Sequence, residues 1–158
     1  MHARVLTAMT AAVALSVSAA TSAAESFVDA TDPGRLASII QDLGYKAAVD
    51  VDGVGDPMIR SSAGGTEFAI YFYGCTDNVA CKFVLFKVGF DLVNGTTDNV
   101  VNQWNANALF GRAYLDDEAD PWLEMSVNLD GGVSRANFED SYDWWEVILD
   151  GFEDHIGF

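Results

Sequence analysis

The stretch EFAIYFYGCTDNVACKFVLFKVGFD, residues 67–91, decides how this chain folds. Phe68, Ile70 and Phe72 alternate with Ala69, Tyr71 and Tyr73, the period of two that sends successive side chains to opposite sides of an extended strand. After a short interruption, Val84, Phe86, Val88 and Phe90 share one face of a second strand. The opposite face passes from Phe83 and Leu85 to Lys87 and Asp91, as a strand leaving cover for solvent would. GCTDNVAC between them is short and mostly polar, which suits a turn joining antiparallel neighbours. The pattern predicts a hairpin whose loop carries the only two cysteines, Cys75 and Cys81.

What those thiols do depends on compartment. The chain begins MHARVLTAMTAAVALSVSAATSAAES, in which Arg4 precedes an apolar run that ends in small residues. Ser22-Ala23-Ala24 fits the small-x-small cleavage rule, so residues 1–24 read as a signal peptide and 25–158 as one domain. An uncleaved anchor is the alternative. Against it, the run is rich in Ala, Ser and Thr and has no basic stop-transfer flank. No cysteine lies near the cut to carry a lipid. The expected location is the periplasm or the exterior, with no membrane attachment after cleavage. Paired thiols are expected there. Closing so short a loop removes unfolded-chain entropy worth about 2 kcal/mol at best. A structural zinc site usually needs four Cys or His ligands, whereas the cleaved chain offers these two cysteines and His155. A catalytic dithiol usually has C-x-x-C spacing at a helix start. A structural disulfide is the expected state.

The charge narrows the partners. Eight basic residues stand against 24 acidic ones, a formal charge of −16, and losing Arg4 would leave seven. Such a surface repels phosphate backbones and anionic lipid, so nucleic acid is not an expected partner. Half of the residues are hydrophobic, enough for a packed core.

Working outward from the hairpin, DPGRLASIIQDLG (32–44) carries a capping Asp32, Pro33 at the first helical position and a terminating Gly44. Strand-like runs follow at 45–51 and 57–62, ahead of the hairpin strands at 67–73 and 82–91. A helix opens near Thr97 and Asp98, with Val100, Val101, Trp104, Ala108 and Leu109 expected on its apolar side. Two more strands, 112–115 and 122–129, flank an acidic turn. The last helix starts near Ser134 or Asn137. Phe138, Tyr142, Trp145, Leu149, Phe152 and Ile156 form a long stripe on it, widened by Trp144 and Ile148. The order α-β-β-β-β-α-β-β-α with short turns implies an α+β fold, an antiparallel β-sheet packed with helices.

Three blocks carry a family resemblance. They are NQWNANALFGRAYLDD (102–117), PWLEMSVNLDGGV (121–133) and a terminal helix with paired tryptophans and an F-x-x-x-I ending. Together with FYGCTDNVACKF, they resemble the exported branch of the YbjN family, bacterial proteins described as sensory transduction regulators. The resemblance implies a fold like that of type III secretion chaperones, often dimeric, which bind polypeptide segments without catalysis. It supplies no catalytic residues and no cofactor.

The expected function is therefore a non-enzymatic, exported domain that binds a protein or peptide in a regulatory or chaperone-like role. Trp144, Trp145, Ile148 and Phe152 are the expected partner or dimer face. The alternative is a small-ligand or divalent-cation module. DVDGVGD (50–56) places Asp50, Asp52 and Asp56 around Gly53, as at the start of a calcium loop. Val54 occupies one ligand position, and a hairpin turn with exposed carboxylates explains the same spacing. LDDEADP (115–121) clusters four acids, but consecutive turn residues diverge instead of facing each other across a cleft. His155, near the end of the last helix, suits a helix-dipole cation better than a base. No Gly-rich phosphate loop or nucleophile elbow occurs.

Overall fold

The computed structural model describes residues 27–158. The expected leader and its expected cleavage point fall outside the described residues. The elements are β1 (Phe27–Val28), α1 (Pro33–Asp42), β2 (Lys46–Val51), β3 (Pro57–Ala63), β4 (Thr66–Tyr73), β5 (Phe83–Gly89), α2 (Asp98–Asn107), β6 (Arg112–Leu115), β7 (Pro121–Asn128), β8 (Val133–Ser134) and α3 (Arg135–Ile156). The fold is α+β, and the expected element order holds. The short β1–β8 pair was not foreseen, because two-residue strands leave no periodicity to read.

Six antiparallel strands form one sheet in the order β2-β3-β4-β5-β7-β6. The first four make a meander. The chain then leaves through α2, returns as the edge strand β6, and doubles back as β7 between β6 and β5. In the hairpin that decided the reading, Phe72 stands opposite Val84 and Ile70 opposite Phe86. All four are buried, so one sheet face is apolar across its centre.

That face is covered by α3. Ser134 caps the helix by accepting from the Asn137 N–H, and Gly157 ends it in the left-handed conformation at φ 73°. Tyr142, Trp145, Leu149 and Phe152 are buried from it. Trp145 meets Phe68 at 5.3 Å and Phe86 at 5.5 Å between ring centroids, and Phe152 meets Phe90 at 5.6 Å. Burying one such aromatic removes about 150–250 Å² from water, so these rings dominate the core. Among the described residues the one buried polar residue, Ser61, is satisfied. Its Oγ donates to the Lys46 carbonyl at 2.7 Å and lies 3.0 Å from the Tyr142 hydroxyl.

Both sheet edges are exposed to different degrees. β6 has its outer edge occupied by α2, because Asn105 imitates a strand partner. Its amide donates to the Ala113 carbonyl at 2.9 Å and accepts from the Ala113 N–H at 2.9 Å. β2 at the other edge is largely exposed, with Val49 and Val51 open to solvent.

Candidate partner-binding surface

The terminal helix shows which of its aromatic residues reach the surface. Of the four expected at a partner face, Trp145 and Phe152 are fully buried and Ile148 nearly so. They are core residues, and only Trp144 lies outside, 40% exposed. The reason is geometric: successive helical positions are about 100° apart, and the sheet takes the side of α3 that carries Trp145. Ile148 is also held by Gly111. A Cβ built there would sit 2.7 Å from the Ile148 Cδ1, and the Gly111 φ of 78° favours glycine as well.

Trp144 does not stand alone. Its ring packs against Phe110 at 5.0 Å between centroids. Phe110 and Leu109 belong to the loop after α2, which ends at Asn107, so Leu109 is not on the helix and is 83% exposed. Val147, one turn along α3 from Trp144, is 60% exposed. These four residues make an apolar patch on the helix side of the sheet. Asp140 and Asp143, both exposed, stand at its rim.

Beside this patch the sheet is incomplete. β6 pairs with β7 only from Arg112 opposite Glu124 to Leu115 opposite Pro121. β5 pairs with β7 over its whole length, to Phe83 opposite Asn128. Met125–Asn128 therefore have β5 on one side and no strand on the other. The hydrogen-bonding parity follows from the ends of the ladder. Leu129 N–H donates to the Lys82 carbonyl at 3.0 Å, and Phe90 N–H to the Pro121 carbonyl at 3.0 Å. Odd-numbered residues of β7 thus bond toward β5, and even-numbered ones face the other way. Ser126 and Asn128 point their backbone N–H and C=O into an open slot. Part of it is a cavity of ≈ 480 Å³ lined by Leu109, Phe110, Gly111 and Met125 among others. The slot exists because the positive φ at Gly111 turns the chain away from the line of β6.

The other sequence candidates resolve into structure. Cys75 and Cys81 are joined in a disulfide. Asp50, Asp52 and Asp56 do not converge. Asp50 pairs with Arg60 at 2.7 Å, which holds its carboxyl below the usual range. The Asp52 carboxylate accepts from the Val54 and Asp56 N–H groups at 2.9 Å each, as an Asx turn does. Asp56 accepts from the Asn78 amide at 2.8 Å. No group of three or more His, Cys, Asp or Glu suited to a metal occurs among the described residues.

The acidic turn after β6 is equally committed. Asp116 accepts from the Trp122 indole N–H and from the Glu118 and Asp120 N–H groups, all at 3.0 Å, and its pKa is lowered, chiefly by the indole. His155 lies in the last turn of α3, its Nε2 2.8 Å from the Val100 carbonyl, which ties α3 to α2. None of the described helices is long and apolar enough to cross a membrane.

The free half of β7 had a signal in the sequence. The sequence predicts strands of four residues (112–115) and eight (122–129), and a four-residue strand cannot cover an eight-residue one.

No curated protein and no solved structure matches the chain. The family described as "YbjN: Putative bacterial sensory transduction regulator" matches residues 32–158, a span from the N-cap of α1 to the end of the chain. The chain belongs to the YbjN family.

Proposed function

We propose that this protein is an exported, non-enzymatic regulatory domain that takes up an extended polypeptide segment by strand addition to the free half of β7. The observation that carries the reading is the outward-facing backbone of Ser126 and Asn128 beside the Trp144–Phe110 patch. An incoming strand laid antiparallel to β7 continues the line of β6 and completes the ladder. Its alternate side chains meet Trp144, Phe110, Leu109 and Val147. The segment that fits alternates β-branched apolar residues with polar ones and carries basic flanks, which Asp140, Asp143 and the overall charge of −16 attract. The leader-like start and the disulfide support export. Membership of a regulator family supports a role without catalysis.

The test is titration of isotope-labelled protein with synthetic ten-residue peptides that alternate Val with Lys or Thr. A Pro-interrupted peptide serves as control. Binding is expected to shift the Ser126 and Asn128 amide resonances and the Trp144 indole. Trp144→Ala is expected to weaken it at least tenfold, the scale of an aromatic anchor. Shifts confined to other surfaces, or equal binding of the control, would remove the reading.

A further inference from the structure

The second face of the sheet, turned away from the helices, is far richer in cations than the rest of this acidic molecule. Ala48, Arg60, Ala69, Lys87, Glu124 and Arg112 stand opposite one another in register and form a single row across all six strands. Lys46, opposite Ser62, lies on the same face. Four of the seven basic residues among the described residues therefore share this face with four acids, Asp50, Glu67, Glu124 and Asp116, the last bonded to the Trp122 indole. A protein of formal charge −16 thus has one face that carries half of its eight cations and on which cations balance acids.

The row has a built centre. Trp122 lies flat across Gly89, where a Cβ would come within 2.7 Å of the ring, so only glycine fits beneath it. The indole N–H is fixed by Asp116 at 3.0 Å, and the ring stacks on Tyr114 at an interplanar angle of 12°. Lys87 Nζ rests 4.8 Å from the Trp122 centroid and 5.4 Å from that of Tyr114. Arg60 is paired with Asp50 and Arg112 with Glu124, while Lys87 makes no ion pair among the described residues. Arg60, Ala69, Lys87, Gly89 and Trp122 line part of a shallow cavity of ≈ 610 Å³, whose floor is low because Ala69 and Gly89 are small.

We infer that this face is a second binding site, separate from the β7 edge, and that it takes an acidic polypeptide segment. Charge complementarity selects the sign, and dimensions select the polymer. Six strands span about 24 Å at ~4.8 Å per strand, well beyond a single metabolite. Arg60 and Lys87, two strands apart, are separated by roughly 10 Å at the backbone. Carboxylates three residues apart on a polyproline II chain share one side, at three residues per turn, and match that distance at about 3.1 Å per residue. Trp122, Tyr71 and Tyr114 then offer apolar surface to the intervening side chains.

The acids elsewhere on the molecule give the site a distinctive salt response. Those on α3, Asp140, Asp143, Asp150 and Asp154 among them, lie beyond the thickness of the sheet, about 10 Å or more away. Near 0.15 M salt the Debye length is about 8 Å, so this distant repulsion is screened while contact pairs at Lys87 and Arg60 are less affected. Affinity for an acidic peptide should therefore rise from low to moderate salt and fall again at high salt.

The experiment is fluorescence anisotropy with a labelled twelve-residue peptide repeating Glu-Ala-Ala, across a salt series. The competitors are heparin, as an anionic polysaccharide, and succinate, as a small dicarboxylate. Binding with a maximum at moderate salt is expected, weakened at least tenfold by Lys87→Glu and by Arg60→Glu. Lys87→Gln, which keeps the stem over Trp122, is expected to weaken it about threefold, and thermal melts confirm that each variant is folded. Trp144→Ala, on the helix side of the sheet, is expected to leave this binding unchanged. The inference is overturned if no peptide binding appears at any salt or if the charge reversals change nothing. It is likewise overturned if heparin or succinate competes at concentrations below the peptide's own dissociation constant.

Discussion

Trp144 and Trp145 are neighbours in the chain that face opposite environments, Trp144 40% exposed against Phe110 and Trp145 fully buried between Phe68 and Phe86. One residue supports the fold and the other is free for contact. Trp145→Ala should lose about 3–5 kcal/mol of stability, the usual scale for emptying a large aromatic from a core. Trp144→Ala should lose less than about 1 kcal/mol, since most of its ring stays near solvent in either state. Denaturant unfolding of the two variants measures the contrast, and equal losses would mean that α3 is rotated from the position described.

The disulfide should stabilise without being required for folding. Its loop is short, so pairing is worth about 2 kcal/mol in the chain-entropy account. Removing both thiols as Cys75→Ser with Cys81→Ser should lower stability by roughly that amount and leave the far-ultraviolet spectrum native. The loop also braces a neighbour: Asn78 donates to the Val54 carbonyl at 3.3 Å and to Asp56 at 2.8 Å. Faster amide exchange in the turn between β2 and β3 is the expected local sign of reduction.

High pH should destabilise the protein through two tyrosines. Tyr45 donates to Glu146 at 2.5 Å, and chiefly this bond pushes its pKa up to about 12. Burial chiefly raises Tyr142 to about 12, although its bond with Ser61 opposes the shift. An unfolded tyrosine ionises near about 10. The stabilisation from keeping both phenols neutral is therefore complete below about pH 10 and is lost as pH climbs toward 12. Unfolding midpoints across that window should fall, and Tyr45→Phe should flatten the decline. An unchanged slope in Tyr45→Phe would assign the effect elsewhere.

Asn105 keeps α2 on the edge of β6. Asn105→Ala deletes both bonds to Ala113, each worth about 1 kcal/mol, and leaves that backbone to water. The expected result is a loss of about 1–2 kcal/mol with faster exchange of the Ala113 amide. Protection that persists there would show that packing alone holds α2.

These features were legible to different depths. Phe68–Phe72 and Val84–Val88 announced the hairpin because a period of two is local information. Gly44 marks the end of the first helix for the same reason. The facing of α3 was not local. Its stripe was recognised, but Trp144, Ile148 and Phe152 were grouped with Trp145 because only the position of the sheet separates a helix's covered side from its margin. Leu109 was placed on α2, whereas the helix closes at Asn107. The cation row is invisible along the chain, since Ala48, Arg60, Lys87 and Arg112 are brought together by register alone.

The most direct measurement is peptide binding to Ser126→Pro. The Ser126 N–H points away from β5, so proline there removes a donor to an incoming strand and no bond within the sheet, as tolerated on strand edges. The variant is expected to melt close to the parent and to lose binding of the Val-Lys peptides by at least tenfold. A folded Ser126→Pro protein that binds those peptides as tightly as the parent would contradict strand addition at β7.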